Sequence, residues 1–438
     1  IQGGTQSGDC GRPYYDRLGN VCGLHSAFYS GSNQAVISKM GSHPPQKVES
    51  WRGIPTMNSG RQLGALPRGT SFGRSPGHPE IYEWETCEPT AYGKPDPRNL
   101  PTQEKLLAAQ LEPYVQPSME IPPIVTTAAR YVKNHLQDML SFLPPIKTLT
   151  PDQAIMQMDL STSCGPFVDG VKSDWVVIQN GLPVYDPASP FGLHIHNTLA
   201  LAGCGRPLEN AYKLALKDEL LPKPKCHEKK RLIWGTDVGV TLVAQMVWGD
   251  LMTKMKMVNF VSFCSVGCNV HSPFVLTVAE KFEKKNTLCL DYKKWDSTMN
   301  PLVISHAVDI LCDLAPESPY NDALRRTLKQ QPTGYFMDRM VRATRGLPSG
   351  TPGTSIVNSI CHAILYTSAI WLAQDEEGIA RDADPLISNP IVTYGDDCIY
   401  GLSNRNVAIV DNFIASLRVL GLNPTSPEKS NTYKINGP

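Results

Sequence analysis

The chain has 438 residues, 41% of them hydrophobic and 19% charged, the balance of an ordinary soluble globular protein with room for two to four domains. Lys plus Arg and Asp plus Glu both number 41. Net charge therefore excludes a polyanionic partner recognised by bulk attraction, and a nucleic-acid surface has to come from local segregation of charge. The longest apolar run, Ile356 to Ala373, is broken by Asn358, Ser359, His362 and Thr367. That predicts a buried helix rather than a membrane span. The twelve cysteines are scattered, which predicts reduced thiols in a cytosolic setting. Cys264-x3-Cys268 with His271 resembles half a metal site, with no second ligand pair at a suitable spacing. His194 and His196 alternate as on one face of a strand. The first residue is Ile1 rather than Met, and Asn436-Gly437-Pro438 offers no closing element, so a piece of a longer protein is expected.

In chain order, the first stretch carries its own chemistry. Ser7-Gly8-Asp9-Cys10-Gly11 sets a thiol in a small-residue turn, and Gly23-Leu24-His25-Ser26-Ala27 follows. Glycines beside a nucleophile let backbone amides converge on an oxyanion. Together the two segments resemble the C-terminal end of the chymotrypsin-like cysteine proteases of positive-strand RNA viruses. The resemblance implies that Cys10 is the nucleophile and that His25 lines the pocket for a Gln or Glu before the cut. The family's general-base His would lie upstream of Ile1, so this remnant, residues 1–39, is expected to be inert.

Residues 40–100 are dense in Pro and Gly and read as a linker and N-terminal arm, with Glu49-Ser50 a plausible processing point. Two helices follow. Thr102 to Leu111 carries Leu106, Leu107 and Leu111 on one face, and Thr126 to Leu143 carries Val132, Leu136, Met139, Leu140 and Leu143 before Pro144-Pro145. Ser161 to Phe167 is a hydroxyl-rich loop that includes Ser163 and can hold phosphates without reading bases. Charge then segregates: Lys213, Lys217, Lys223, Lys225, Lys229, Lys230 and Arg231 outnumber Asp218, Glu219 and Glu228. Leu232-Ile233-Trp234 ties this basic ribbon to a core, where it could carry a triphosphate or a template backbone.

The segment Leu288 to Ser297 is an apolar strand ending at Asp291, with Asp296 where the chain turns. A helix with Val303, Ala307, Val308, Ile310 and Leu311 follows. An acid at the end of a buried strand is costly unless a cation meets it. The Gly/Pro/Ser loop Arg345 to Thr354, with Ser349, leads into a helix bearing Asn358, a polar residue able to reach a sugar hydroxyl. Ile391 to Tyr400 reads as two short strands joined at Gly395-Asp396-Asp397. If its strands neighbour the Asp291 strand, Asp291 and Asp396 could share ions ~3.5–4 Å apart, as two-metal catalysis requires. A helix with Val410, Phe413, Ile414, Leu417 and Leu420 closes at Gly421 and Pro424, and Lys429 stands just beyond it.

Lys217-Asp218-Glu219, Asp291-x4-Asp296, Gly346-x2-Ser349-Gly350…Thr354…Asn358 and Tyr394-Gly395-Asp396-Asp397 together resemble the viral RNA-dependent RNA polymerases. The segments Asp291-Tyr292-x2-Trp295-Asp296-Ser297-Thr298, Gly346 to Gly350 and Lys230-Arg231-Leu232-x-Trp234-Gly235 look most like calicivirus polymerases. The resemblance implies an α+β right-hand fold, fingers and palm over 101–438 with the thumb missing, behind a short all-β protease remnant. It further implies that Asp291, Asp396 and Asp397 bind two Mg²⁺ or Mn²⁺ ions and that Asp296, Asn358, Ser349 and Thr354 recognise the ribose. Lys217 and Arg231 would hold the triphosphate, Lys429 would protonate the departing pyrophosphate, and Ser163 would guide the template. Implied partners are RNA template and primer, nucleoside triphosphates, a protein primer, other viral replication proteins and further polymerase copies. The implied setting is membrane-associated replication complexes in the host cytoplasm. The alternative is a non-catalytic RNA-binding scaffold of the same fold.

Overall fold

A computed structural model of the chain describes residues 47–63, 99–222, 230–269, 271–428 and 433–437, with the backbone of strands at 13–15, 21–29, 34–39 and 87–89. The chain divides into two compact units, Ile1–Glu49 and Ser50–Pro438. In the first, β1 (Pro13–Tyr15), β2 (Val21–Tyr29) and β3 (Gln34–Lys39) form an antiparallel sheet with β2 in the centre.

The second unit begins inside the stretch expected to be linker. Within that stretch of linker and N-terminal arm, β4 (Glu49–Trp51) and β5 (Ile54–Asn58) form a hairpin. Its turn residues, Arg52 (φ 49) and Gly53 (φ 83), are both left-handed, the backbone that suits a two-residue hairpin. The helix that follows, α1 (Asn99–Leu111), buries Leu106, Leu107 and Leu111 as their spacing predicts. α2 (Ile124–Leu140) buries Val132, Leu136 and Leu140 along its apolar stripe.

His194 and His196 lie not on a strand but on a helix, α3 (Pro190–Gly203). Ser189 caps it by accepting from Gly192 N–H at 3.0 Å, and Pro190 supplies the preset φ of a first helical turn. Two residues apart on a helix, the two imidazoles point to different sides: His194 pairs with Asp237 at 2.9 Å and His196 is exposed.

β6 (Ala211–Leu216) and β7 (Leu232–Thr236) are antiparallel, Leu214 facing Trp234. α4 (Val238–Met257) is capped by Asp237, which accepts from Gly239 and Val240 N–H. Next come β8 (Asn286–Tyr292), the short helical turn α5 (Trp295–Thr298) and α6 (Pro301–Leu314). α6 buries Val303, Ala307, Val308, Ile310 and Leu311, the five positions its pattern marks. β9 (Thr333–Phe336) and β10 (Arg339–Arg342) complete a six-stranded sheet of order β7-β6-β9-β10-β5-β4.

The centre of the unit is α7 (Thr354–Glu376), the apolar run read as a buried helix. It is the only helix long and apolar enough to span a membrane among the described residues, and 94% of that window is buried. Ile356, Val357, Ile360, Ile364, Tyr366 and Ile370 sit in the main core against α2, α6 and α8 (Val410–Val419). Each such side chain contributes roughly 1.5–3 kcal/mol by leaving water. Over this helix lies the second sheet: β11 (Ile391–Tyr394), β12 (Asp397–Leu402), β8 and β13 (Pro424–Thr425), in that order. β14 (Ile435–Asn436) also pairs with β8, Ile435 opposite Leu288.

Candidate active site

Sheet register brings the predicted acids together. β8 and β12 are antiparallel with Leu290 opposite Cys398, which leaves Asp291 and Asp397 one step further along the same pair of strands. β11 and β12 are closed by the pair Tyr394–Asp397, so Gly395 and Asp396 form the turn itself. Gly395 has φ +71, a backbone that a residue with a Cβ adopts only at a cost, which favours glycine before the two acids. Asp396 reaches solvent at the tip of this turn. Its carboxyl is nonetheless raised above the usual range, first by burial against the turn and then by the charges of Asp397 and Asp291.

Asp296 stands beside this group on α5. Its carboxyl is also raised, chiefly by burial and further by Asp396, while a hydrogen bond from Asn358 opposes the rise. Asn358 Nδ2 donates to Asp296 Oδ1 at 3.0 Å, and Trp295 Nε1 donates to Asn358 Oδ1 at 2.9 Å. The amide is therefore held by both ends and its orientation is fixed. Helix α7 supplies Asn358, and one residue further along Ser359 Oγ accepts from Gly395 N–H at 3.1 Å. One helix face thus touches both the Asp296 segment and the Asp396 turn.

A family model for viral RNA-dependent RNA polymerase matches residues 75–437. The chain belongs to that family. It is 34% identical over 439 residues to the genome polyprotein of bovine enteric calicivirus Newbury agent-1 (isolate Bovine/UK/Newbury1/1976), covering 98% of this chain and 19% of that polyprotein. To the genome polyprotein of canine calicivirus (strain 48) it is 31% identical over 448 residues, covering 97% of this chain and 23% of that polyprotein. The chain therefore spans less than a quarter of either relative's length. In solved structures, a Sicinivirus 3Dpol RNA dependent RNA polymerase shares the fold with a TM-score of 0.67 at 21% identity, over 86% of this chain and 78% of that one.

For a polymerase of this family the acid group has suitable ligand chemistry: its donors are carboxylate oxygens, which hard divalent cations prefer. Their mutual repulsion, visible in the raised Asp396 carboxyl, is the kind a cation relieves. Among the described residues no three Asp, Glu, His or Cys side chains converge tightly enough to cage an ion alone. Cys264, Cys268 and His271 form no metal group either; Cys264 is buried and His271 is exposed.

The remaining candidates lie in several places. Ser349 is exposed on the loop before α7, its Oγ accepting from Trp234 N–H at 3.3 Å, and Thr354 Oγ1 donates to Ser349 O at 3.0 Å. Lys217 and Arg231 flank the ends of β6 and β7, joined by Lys217 N–H to Arg231 O at 2.9 Å. Glu219 meets both, Arg231 Nη2 at 2.5 Å and Lys217 Nζ at 3.5 Å. Within the basic run Lys230 is buried rather than presented on a ribbon. Ser163 Oγ accepts from Gly165 N–H, and the buried Lys172 ammonium donates to Thr162 Oγ1 at 2.5 Å and Ser163 O at 3.1 Å, bracing the loop from behind. Cys10, Lys429, Lys223, Lys225 and Lys229 lie outside the described residues, and of His25 only the strand backbone is described. Sequence pattern alone assigns no role to Trp295, Ser359, His362 or Tyr400. Two of these, Ser359 and His362, were visible as polar residues interrupting an apolar helix.

Proposed function

We propose that the chain catalyses RNA-templated addition of ribonucleotides to an RNA 3′-hydroxyl, in the replication of a positive-strand RNA virus. The observation that carries this reading is the β8–β12 pairing, which sets Asp291 beside Asp396-Asp397 with the Asp296–Asn358 pair in their field. On this reading the β11-β12-β8-β13 sheet is the palm and the six-stranded sheet belongs to the fingers.

Asp291, Asp396 and Asp397 would hold two Mg²⁺ or Mn²⁺ ions, which supply positive charge to the attacking and leaving oxygens. Asp296 accepts from a ribose 2′-hydroxyl while the Asn358 amide keeps that carboxylate oriented, and Ser349 and Thr354 shape the loop beside it. Lys217 and Arg231 hold the triphosphate, pre-oriented by Glu219. Lys429 gives a proton to the departing pyrophosphate, and Ser163 contacts the template backbone. Little covalent chemistry falls to side chains: the protein places charges and holds geometry. RNA and nucleoside triphosphates are the substrates. A protein primer, other replication proteins, further polymerase copies and membrane-associated complexes in the host cytoplasm complete the proposed setting. The three-stranded sheet of the Ile1–Glu49 unit is compatible with an all-β, protease-like segment bearing Cys10 and His25.

The test is incorporation of labelled ribonucleotide on primed RNA with Mg²⁺ or Mn²⁺, by the full-length protein and by Asp396→Ala. Incorporation that needs template and vanishes with the substitution supports catalysis. A folded protein without incorporation leaves a non-catalytic RNA-binding scaffold.

A further inference from the structure

His362 is a charged-type residue where none is needed for packing. It lies 1% exposed in the centre of α7, between the rings of Trp295 (4.7 Å between centroids), Tyr292 (5.4 Å) and Tyr400 (5.7 Å). Burial pushes its pKa down to about 4, so the ring is neutral at physiological pH. A neutral imidazole has one N–H, and its partners decide which nitrogen carries it. Nδ1 sits 3.2 Å from the carbonyl oxygen of Gly395, a group that only accepts. The proton is therefore on Nδ1, and Nε2 accepts from the Tyr400 hydroxyl at 2.5 Å. Tyr400, having spent its proton, accepts in turn from the Tyr292 hydroxyl at 2.5 Å. The relay has one direction: Tyr292 to Tyr400 to His362 to Gly395.

Its two ends are the neighbours of the two central acids. Tyr292 follows Asp291 on β8, and Gly395 precedes Asp396 in the turn. Both peptides flanking the Gly395 Cα are held by one helix, the N–H of Gly395 by Ser359 and its C=O by His362. We propose that His362 is a positioning residue that sets the spacing of the Asp291 and Asp396 carboxylates by tying the Gly395–Asp396 turn to the β8 strand. It touches no substrate and acts through Gly395 and Tyr400. The inference rests on the polymerase reading of the site and adds how that site is held to the geometry that shared cations demand. A displacement of about 1 Å at such a site is enough to cost ~100-fold in rate.

The experiment compares His362→Leu, His362→Asn, Tyr400→Phe and Asp396→Ala in the full-length protein. It reads calorimetric binding of Mn²⁺ alone, primer-extension kcat and nucleotide KM, and thermal unfolding. Leu removes both bonds; Asn keeps an N–H near the Nδ1 position and can still donate to Gly395. His362→Leu is expected to bind Mn²⁺ several-fold more weakly and to lose roughly tenfold or more in kcat, with KM changed less than about threefold. His362→Asn restores most of both, and Tyr400→Phe shows a smaller loss of the same kind. A folded His362→Leu with wild-type Mn²⁺ affinity and kcat overturns the proposal. So does a His362→Asn as impaired as His362→Leu, which would mean that packing alone matters. If His362→Leu does not fold, Tyr400→Phe decides: weaker Mn²⁺ binding supports the proposal, and wild-type values overturn it. Incorporation that survives Asp396→Ala overturns the polymerase-site reading itself, whereas its loss beside unaffected His362 variants overturns only this inference.

Discussion

Asn358 on α7 and Asp296 on α5 are joined by a 3.0 Å hydrogen bond from the amide nitrogen to the carboxylate, and Trp295 fixes the amide from its other side. The bond leaves Asp296 with acceptor capacity and a single preferred orientation. A 2′-hydroxyl can fill that capacity, and a deoxyribose cannot. Asn358→Leu is therefore expected to lower the ratio of kcat/KM for ribonucleotide over deoxyribonucleotide by roughly 10- to 100-fold, because a site built to bond a hydroxyl discriminates by leaving its own group unpaired. Single-nucleotide incorporation with the two substrates in parallel checks it. An unchanged ratio would remove Asn358 from ribose selection.

The loop before the same helix is held by close backbone approach. Gly350 passes so near Trp234 that an added Cβ would fall onto its carbonyl oxygen, and Gly350 O accepts from Thr236 Oγ1. Gly350→Ala must push the loop away from β7 and carry Ser349 with it. The expected outcome is a rise in nucleotide KM of about tenfold or more with RNA affinity unchanged, measured by incorporation kinetics and filter binding.

A polar cluster under the second sheet is a matter of stability instead. Asn406 Nδ2 donates to Asp382 Oδ2 at 3.0 Å and to Asn389 Oδ1 at 2.8 Å, and its Oδ1 accepts from Gln374 Nε2 at 3.0 Å. Asn406, Asn389 and Gln374 are all buried. Asn406→Ala strips partners from three of these groups at once and should cost roughly 2–4 kcal/mol of stability. Urea unfolding measures that loss, and nucleotide KM at low temperature should stay at its wild-type value.

Lys281 gives a pH signature. Burial pushes its pKa from the usual 10.5 down to about 8, while its ammonium donates to the carbonyls of Val261 and Ser262. Between those two values the unfolded chain keeps a proton that the folded chain has released, so this residue's contribution to stability rises with pH from about 8 to 10.5. Wild type should gain on Lys281→Met across that window, by at most roughly 3 kcal/mol. Denaturant unfolding of both proteins at pH 7.5 and at pH 10.5 checks the sign, and a constant difference between them would contradict it.

Much of the site was legible because its signals are local. Gly395-Asp396-Asp397 sits between alternating apolar residues, and the strand ending at Asp291 alternates in the same way, so both halves of the acid group could be read before their strands were known to pair. The errors share a cause, which is that short-range pattern was outweighed by distant partners. Pro and Gly density marks residues 40–100 as linker and N-terminal arm and does not show that β5 within them is a strand, which it is through pairing with Arg339 and Met340. His194 and His196 suggested a strand by alternation, and the stronger signal was Ser189-Pro190, a cap followed by a first-turn proline. Lys230 followed its neighbours into a basic ribbon on paper and is buried in the fold. His362 stood out as polar in an apolar helix, but only the sheet above it shows that Gly395 and Tyr400 are its partners.

The central claim is that Asp291 and Asp396, from different strands, act as one site. The most direct measurement is templated ribonucleotide incorporation by Asp291→Ala, Asp396→Ala and the double variant of the full-length protein, each shown to be folded. One shared site predicts that each single substitution removes roughly 3 kcal/mol or more of transition-state stabilisation and that the double variant is no worse than either. Independent, multiplying losses, or a single variant that keeps activity within about tenfold of wild type, would contradict the shared site.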